Sequence, residues 1–232
     1  MTSTEATAAG SNSSGIWNLP NILTMLRIVL VPFFVWFLVA DAPGLRSESG
    51  AWRWAAVAAF AVAIYTDKLD GDIARSRGLV TDFGKIADPI ADKLLIGSAL
   101  VMLSVLSELP WWITVVILVR EWGITALRFF VIRYGVIPAS RGGKLKTVVQ
   151  TAAIFLYLLP LSALAPWLVW VAFAVMLVAL LITVWTGVEY VVEALKVRAQ
   201  GLRRRAEEHH DQEPHAGEHH DQEHRKPETQ EG

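Results

Sequence analysis

Cysteine is absent from the 232-residue chain, and histidine is absent from its hydrophobic part. The missing thiols exclude disulfides, thiolate metal sites and a cysteine nucleophile. All six histidines lie between His209 and His224, after the last apolar segment. Any base or metal ligand in the apolar part must therefore be an oxygen donor or a lysine.

The net charge of the whole chain is only -1, so we expect no nucleic-acid partner. Hydrophobic residues are plentiful, at 53% of the sequence, and the mean hydropathy is +0.41. These values are high for a soluble protein, and they indicate the lipid bilayer as the solvent.

Six apolar runs are long enough, or nearly so, to cross a bilayer as helices. They cover residues 22–40, 52–66, 89–107, 111–132, 147–164 and 167–190. The sequence therefore predicts an all-α integral membrane protein with six transmembrane helices.

The composition predicts three regions. Residues 1–15 are rich in Ser, Thr, Ala and Gly and are expected to be disordered. Residues 16–200 form the membrane catalytic domain. Residues 201–232 form a disordered tail rich in histidine and acidic residues, in which 208–213 is nearly repeated by 218–223. The tail has no apolar pattern from which a core could form, although it could bind metal weakly.

Lysine and arginine are concentrated in segments 67–88 and 133–146 and after residue 195, whereas the other connections contain few cations. The positive-inside rule then places these segments and both termini in the cytoplasm. We expect a multi-pass membrane protein with these cationic segments on the cytoplasmic side.

Aspartate is concentrated at one place, since six of the nine aspartates fall between Asp67 and Asp92. Carboxylates beside apolar sequence are costly unless they are paired, metal-bound or in contact with water. Asp67 and Asp70 have i, i+3 spacing and Asp88 and Asp92 have i, i+4 spacing, so each pair shares a helix face. Oxygen-only ligands suit Mg²⁺ or Mn²⁺, which also bind phosphate oxygens. The sequence therefore predicts a site for a pyrophosphate substrate.

Small residues and one cation surround these carboxylates. Gly71, Ala74 and Gly84 are expected to let a bulky ligand approach the helix backbone, and Arg75 supplies a planar cation for phosphate. A solvated acidic loop with ordinary turn glycines is the structural alternative.

The full pattern, Asp67-x2-Asp70-Gly71-x2-Ala74-Arg75-x8-Gly84-x3-Asp88-x3-Asp92, resembles the signature of the CDP-alcohol phosphatidyltransferase family, with no departure from it. The resemblance extends over about residues 17–196. It implies transfer of a phosphatidyl group from CDP-diacylglycerol to an alcohol, with CMP as the leaving group, and it implies a homodimer.

The same resemblance assigns roles to individual residues. Asp67, Asp70, Asp88 and Asp92 would hold two Mg²⁺ or Mn²⁺ ions, and Asp92 would be the base for the acceptor hydroxyl. Gly71, Ala74 and Arg75 would bind the CDP moiety. The residues by themselves rank no aspartate above another.

A second group of cations bears on the acceptor. Arg120 lies inside an apolar run and needs an anionic partner, and we expect Glu121 to point away from it. The predicted ligands of the acceptor phosphate are Arg120 together with Arg141, Lys144 and Lys146, which lie around two glycines. Contact with anionic lipid headgroups would explain the same cations.

The segment Asn18–Arg27 admits two interpretations. It resembles the opening of family members whose acceptor is sn-glycerol 3-phosphate. It also suits an interfacial helix start, with Pro20 near the first turn and Arg27 reaching to the headgroups.

The predicted acceptor is sn-glycerol 3-phosphate, as in the family members that the Arg120 and Arg141–Thr147 segments resemble. Phosphatidylglycerol and inositol phosphate are alternative acceptors within the family, because acceptor pockets differ by few side chains. A channel or transporter for divalent cations is an alternative of another class. It would explain the carboxylates but not Arg75.

Overall fold

The computed structural model describes residues 18–45, 49–77, 81–131 and 141–212, without the side chains of residues 77, 82, 85, 141–144, 162 and 204–212. The predicted disordered segment 1–15 and the tail beyond residue 212 lie outside the described residues. All regular structure in the described ranges is helical, which confirms the predicted all-α class. The helices are α1 (Leu19–Asp41), α2 (Ala51–Arg77), α3 (Asp82–Val105), α4 (Trp111–Val131), α5 (Arg141–Leu158), α6 (Leu161–Leu164) and α7 (Leu168–Gln212).

Helices α2 and α3 extend beyond their apolar runs into the aspartate-rich segment. Helix α2 continues to Arg77, and α3 begins at Asp82. Thr81 caps α3, because its hydroxyl accepts a hydrogen bond from the Gly84 amide at 3.1 Å. Both aspartate pairs therefore lie on helices, as their spacing predicts.

Two other helix ends differ from the predicted runs. Helix α5 ends at Leu158 rather than near 164, because Pro160 has no amide hydrogen with which to continue the helix. The four residues of α6 complete that run. Helix α7 continues to Gln212, past the predicted domain boundary at residue 200.

The outer surface of the bundle is apolar. Phe129, Trp170 and Trp185 are each 75% exposed, which is unfavourable in water and favourable in lipid. Among the described helices, α1 and the Leu168–Arg203 part of α7 are long and apolar enough to cross a membrane. Helix α4 contains Arg120, Glu121 and Arg128, which reduce its hydropathy.

The interior contains two packed groups of helices. Helix α1 packs on α2 and α3, and α7 packs on α4 and α5. The buried apolar side chains include Phe34 of α1, Phe60 of α2, Leu100 of α3 and Ile154 of α5. Alanines on α2 and α3 are also buried, and their small size allows close approach of the helices.

One end of the bundle is held by a buried arginine. Arg53 of α2 is 2% exposed and donates to both carboxylate oxygens of Glu108, at 3.0 and 2.5 Å. It also donates to the backbone carbonyls of Tyr157 and Leu158, at 2.8 and 2.7 Å. These carbonyls end α5 and have no amide partner further along that helix. The Arg53–Glu108 pair therefore joins α2, the α3–α4 connection and the end of α5.

Candidate active site

At the other end of the bundle, α2 and α3 present aspartates to α1. Thr24 of α1 is 1% exposed, and its hydroxyl lies 2.5 Å from Asp88 Oδ1 and 3.4 Å from Asp70 Oδ2. A single hydroxyl on α1 thus contacts carboxylates from two different helices. We call Asp67, Asp70, Asp88 and Asp92 the Asp cluster.

Arg27 is the cation within this cluster. Its side chain is fully buried, and its two terminal nitrogens lie 2.6 Å from Asp67 Oδ1 and 2.5 Å from Asp70 Oδ2. The interpretation in which Arg27 reaches to the headgroups is therefore wrong. Because a guanidinium cannot be buried without an anion, the two aspartates determine its position.

Asn21 and Thr81 connect the start of α1 to the start of α3. The Thr81 hydroxyl lies 2.9 Å from the Asn21 side-chain oxygen, and Asn21 is 2% exposed. A Cβ atom at Gly84 would lie 3.0 Å from that same oxygen. Gly84 therefore permits close contact between α1 and α3, which corrects the expectation that it leaves room for a ligand.

The predicted CDP-binding residues lie on the exposed part of α2. Arg75 is paired with Asp72 at 2.9 Å, and the Arg75 side chain is 72% exposed. A Cβ atom at Gly71 would lie 3.2 Å from the Arg75 guanidinium, so glycine leaves space for that side chain. Ala74 is half-buried on the same part of the helix. The Arg75 guanidinium is thus accessible from solvent beside the Asp cluster.

Asp92 is close to a second polar group as well as to the other aspartates. Its carboxylate is within electrostatic reach of Asp67 and Arg27, and also of Lys146 and Glu121. Helix α3 therefore places Asp92 within reach of charged side chains on α1, α2, α4 and α5.

Glu121 is the anion for two of the predicted acceptor-binding cations. Arg120 lies 3.1 Å from Glu121 Oε1, and the Lys146 ammonium binds the same oxygen. The expectation that Glu121 points away from Arg120 is therefore wrong. Arg120 also donates to the Thr183 carbonyl at 3.2 Å and to the Thr186 hydroxyl at 3.0 Å, both on α7. The side chains of Arg141 and Lys144 lie outside the described residues.

Crowding of the carboxylates affects their protonation. Asp70 lies beyond the apolar run of α2, and burial raises its pKa to about 6 against the opposing effect of the Arg27 guanidinium. The neighbouring charges of Asp88 and Asp67 also raise the pKa of Asp70. The cluster thus has more negative charge than one arginine neutralises.

The donor set of the Asp cluster suits a hard divalent cation, because every candidate ligand is a carboxylate oxygen. Three of the carboxylates already share the partners Thr24 and Arg27. Among the described residues, no three acidic side chains converge on one point. The Arg27 guanidinium lies between Asp67 and Asp70, so these two carboxylates contact it rather than each other.

Reasoning from the sequence did not assign Thr24, Asn21 and Thr81 to this site. A usable signal was present, because polar residues recur at positions 21, 24 and 27 in an otherwise apolar helix. Spacing of three residues places them on one face, and a polar face on a membrane helix indicates a partner in the protein interior.

Known proteins resemble this chain over most of its length. A profile of the CDP-alcohol phosphatidyltransferase family matches residues 17–185. A Mycobacterium tuberculosis (strain ATCC 25618 / H37Rv) protein named "Probable phosphatidylglycerophosphate synthase" is 55% identical over 181 residues, covering 78% of this chain and 83% of that protein. A Bacillus subtilis (strain 168) protein named "CDP-diacylglycerol--glycerol-3-phosphate 3-phosphatidyltransferase" is 38% identical over 191 residues, covering 75% and 94%. A Shigella flexneri protein with that same name is 34% identical over 184 residues, covering 77% and 95%.

Proposed function

The chain belongs to the CDP-alcohol phosphatidyltransferase family, and on that premise we propose that it is a phosphatidylglycerophosphate synthase of phospholipid biosynthesis. It transfers the phosphatidyl group of CDP-diacylglycerol to sn-glycerol 3-phosphate and releases CMP. The names of the M. tuberculosis, B. subtilis and S. flexneri relatives support this acceptor.

The observation that carries the proposal is the arrangement of the Asp cluster. Asp67 and Asp70 from α2 and Asp88 from α3 meet around Arg27 and Thr24 of α1. These aspartates occupy the signature positions of the family. Their shared contacts with Arg27 and Thr24 support a common role in binding the charged part of the substrate.

Asp67, Asp70, Asp88 and Asp92 would hold two Mg²⁺ or Mn²⁺ ions. When bound, such ions neutralise the pyrophosphate of CDP-diacylglycerol and stabilise the departing CMP. Gly71, Ala74 and the accessible guanidinium of Arg75 bind the CDP moiety at the exposed end of α2.

Asp92 accepts the proton of the acceptor hydroxyl. The hydroxyl oxygen forms a bond to the phosphorus that bears diacylglycerol, and the bond from that phosphorus to the bridging oxygen breaks. CMP leaves with the electron pair of that bond, so no covalent intermediate with the protein is needed. The position of Asp92 within electrostatic reach of both Asp67 and Lys146 supports this role.

The phosphate of the acceptor would bind Arg120, Lys146, Arg141 and Lys144. Arg120 and Lys146 are held together by Glu121, and Arg120 also contacts Thr186 of α7. A phosphorylated alcohol bound there would direct its free hydroxyl toward Asp92. This arrangement favours glycerol 3-phosphate over acceptors without an accessible phosphate.

The six long helices cross the membrane of a bacterial cell, and the Asp cluster and both termini lie on the cytoplasmic side. Exposed cations at the cluster end of the bundle, such as Lys68, Arg75 and Lys196, support this orientation. The opposite end has Arg53, which is buried and paired. We further propose that the protein functions as a homodimer, as the family resemblance implies.

The test is CMP release by detergent-purified protein given CDP-diacylglycerol and one acceptor at a time. The acceptors are glycerol 3-phosphate, phosphatidylglycerol and inositol phosphate, each with Mg²⁺, with Mn²⁺ or with a chelator. We expect turnover with glycerol 3-phosphate only, and we expect chelator to abolish it.

Turnover with another acceptor would support phosphatidyl transfer from CDP-diacylglycerol, but the product would not be phosphatidylglycerophosphate. Absence of CMP with every acceptor would contradict the proposed activity and would favour a pathway for divalent cations. The location of the cluster at one end of the bundle argues against such a pathway, because an ion path needs polar groups at mid-depth.

A further inference from the structure

Among the side chains that the structure describes, Arg27 and Arg53 are the fully buried arginines, and they have different surroundings. Arg53 uses all three guanidinium nitrogens, since it donates to both oxygens of Glu108 and to two backbone carbonyls. Arg27 approaches one oxygen of Asp67 and one oxygen of Asp70, and its buried Nε atom has no hydrogen-bond partner. All three guanidinium nitrogens of Arg53 thus donate hydrogen bonds, whereas Arg27 donates one, from Nη2 to Asp70, and is otherwise held by its ion pair with Asp67.

We propose that Arg27 is an exchangeable counter-ion of the Asp cluster, whose guanidinium competes with a divalent cation for the carboxylates of Asp67 and Asp70. The inference rests on the metal-binding role proposed above for these aspartates. It adds a residue outside the signature, on a different helix, to the group that controls cation binding.

A counter-ion is necessary before any metal binds. Asp70 is 3% exposed, and Asp67 and Asp88 lie close enough to affect its charge. Several ionised carboxylates in a partly buried site repel one another, and this repulsion would separate α2 from α3. Arg27 reduces the repulsion from within α1, so the unloaded bundle keeps its packing.

The contacts of Arg27 also show how it can leave. Asp67 is 46% exposed, so one of its two carboxylate partners is open to solvent and to an incoming cation. The guanidinium contacts a single oxygen of each aspartate. A divalent cation has twice the charge of the guanidinium and prefers carboxylate oxygens. The incoming cation then displaces the guanidinium from the oxygens of Asp67 and Asp70.

The expected consequence is that Arg27 weakens metal binding while it stabilises the metal-free protein. Removal of the guanidinium eliminates the competitor and leaves the cluster more negative. We expect Arg27→Gln to bind Mn²⁺ at least tenfold more tightly than the wild-type protein. Without metal, Arg27→Gln is expected to unfold at a lower temperature, and added Mn²⁺ is expected to raise its unfolding midpoint by more than in wild type.

The experiment uses full-length protein in detergent without lipid substrate. Free Mn²⁺ is titrated by electron paramagnetic resonance, and the thermal midpoint is measured with and without Mn²⁺. Arg53→Gln is the matched control, because it removes a second buried, ion-paired arginine at the opposite end of α2. It is expected to lower the midpoint but to leave the Kd for Mn²⁺ unchanged.

Arg27→Lys provides a second test if Arg27→Gln does not fold. Its shorter ammonium group keeps the charge but cannot bridge both carboxylates as the guanidinium does, so we expect tighter Mn²⁺ binding than in wild type. Unchanged or weaker Mn²⁺ binding by a folded Arg27 variant would overturn the proposal, as would absence of Mn²⁺ binding in wild type. Because no acceptor is present, a wrong assignment of the acceptor would not affect these results.

Discussion

Asp88 and Asp92 occupy successive turns of α3 but have different neighbours. Asp88 accepts a hydrogen bond from Thr24 of α1, which fixes one of its oxygens toward the Asp67–Asp70 side. Asp92 lies one turn further along, within reach of the charges of Lys146 and Glu121. Two carboxylates of one helix face therefore have separate environments, a difference expected when one binds metal and the other also moves a proton.

Substitution of Asp92 by asparagine tests its role as base. Asparagine keeps the size of the side chain and one oxygen, but it cannot accept the proton of the acceptor hydroxyl. We expect Asp92→Asn to fold normally and to lose activity by roughly 10²-fold to 10⁴-fold, the usual contribution of a general base. CMP release with saturating glycerol 3-phosphate is the measurement.

Glu193→Gln is the control for this substitution. This substitution also removes a negative charge, but Glu193 pairs with Lys196 on the exposed surface of α7 at 3.4 Å. The activity of the Glu193→Gln variant is expected to match wild type. If Asp92→Asn retained most of its activity, another group would have to accept the proton.

At the scale of elements, α1 contributes polar side chains to the aspartate-bearing helices. Asn21, Thr24 and Arg27 lie on successive turns and contact Thr81, Asp88 and the α2 aspartates in turn. The position of α1 relative to α3 therefore determines the geometry of the cluster. At Gly84 the two helices are in close contact, because a Cβ atom there would lie 3.0 Å from Asn21 Oδ1.

Gly84→Ala tests this approach. The added Cβ would lie 3.0 Å from Asn21 Oδ1 and 3.3 Å from Thr81 Oγ1, so α1 or the cap of α3 must move. We expect a loss of stability of about 1–3 kcal/mol from overpacking and at least a tenfold loss in kcat/KM as Thr24 moves from Asp88. Thermal unfolding and CMP release measure the two effects.

Gly97→Ala is the control in the same helix. Its Cβ would lie 3.6 Å from the Leu118 side chain, an ordinary contact, so neither activity nor fold should suffer. Equal losses in both variants would mean that α3 tolerates no methyl group at all, and the special role of Gly84 would then be rejected.

The aspartate pairs and their helices could be predicted from the sequence because i, i+3 and i, i+4 spacing and helix periodicity are local properties. The partners of Arg120 and Arg27 could not be predicted from the sequence, because these contacts depend on how helices from distant parts of the chain pack. Even the contact between Arg120 and its sequence neighbour Glu121 is not predictable, because neighbouring side chains on a helix usually point in different directions. The Arg120 guanidinium reaches it at 3.1 Å while it also contacts α7.

On the scale of the whole molecule, polar groups occur at both ends of an apolar bundle and have different functions. The Asp cluster is proposed to bind substrate. The opposite end has a cavity of about 680 Å³ lined in part by Arg53, Glu108 and Tyr157. In that region Arg53 joins segments that are more than 100 residues apart in sequence, from α2 to the end of α5.

Arg53→Met is expected to reduce global stability and to preserve catalysis. It leaves Glu108 partly buried without its cation and leaves the α5 carbonyls without a donor, which costs about 3 kcal/mol for a broken buried pair. Arg53 is separated from Asp67 by about 21 Å along α2 at the usual helical rise. CMP release at low temperature should therefore stay near wild type, whereas the thermal midpoint falls.

Arg128→Met is the control for this prediction, because Arg128 is exposed and donates to Tyr190 at 3.2 Å. It is expected to change stability by less than about 0.5 kcal/mol. An Arg53 variant as stable as wild type would show that the three segments hold together without this pair.

Helix α7 has 45 residues, which correspond to about 68 Å at a rise of 1.5 Å per residue. The hydrocarbon layer that it crosses is only about 30 Å thick. Roughly half of the helix must therefore stand in water as a rigid spacer, and a fluorophore attached near Gln212 would be held tens of ångströms from a lipid-bound acceptor dye. Energy transfer between the two should rise when α7 is shortened, so the length of this helix sets the distance of Gln212 from the membrane surface.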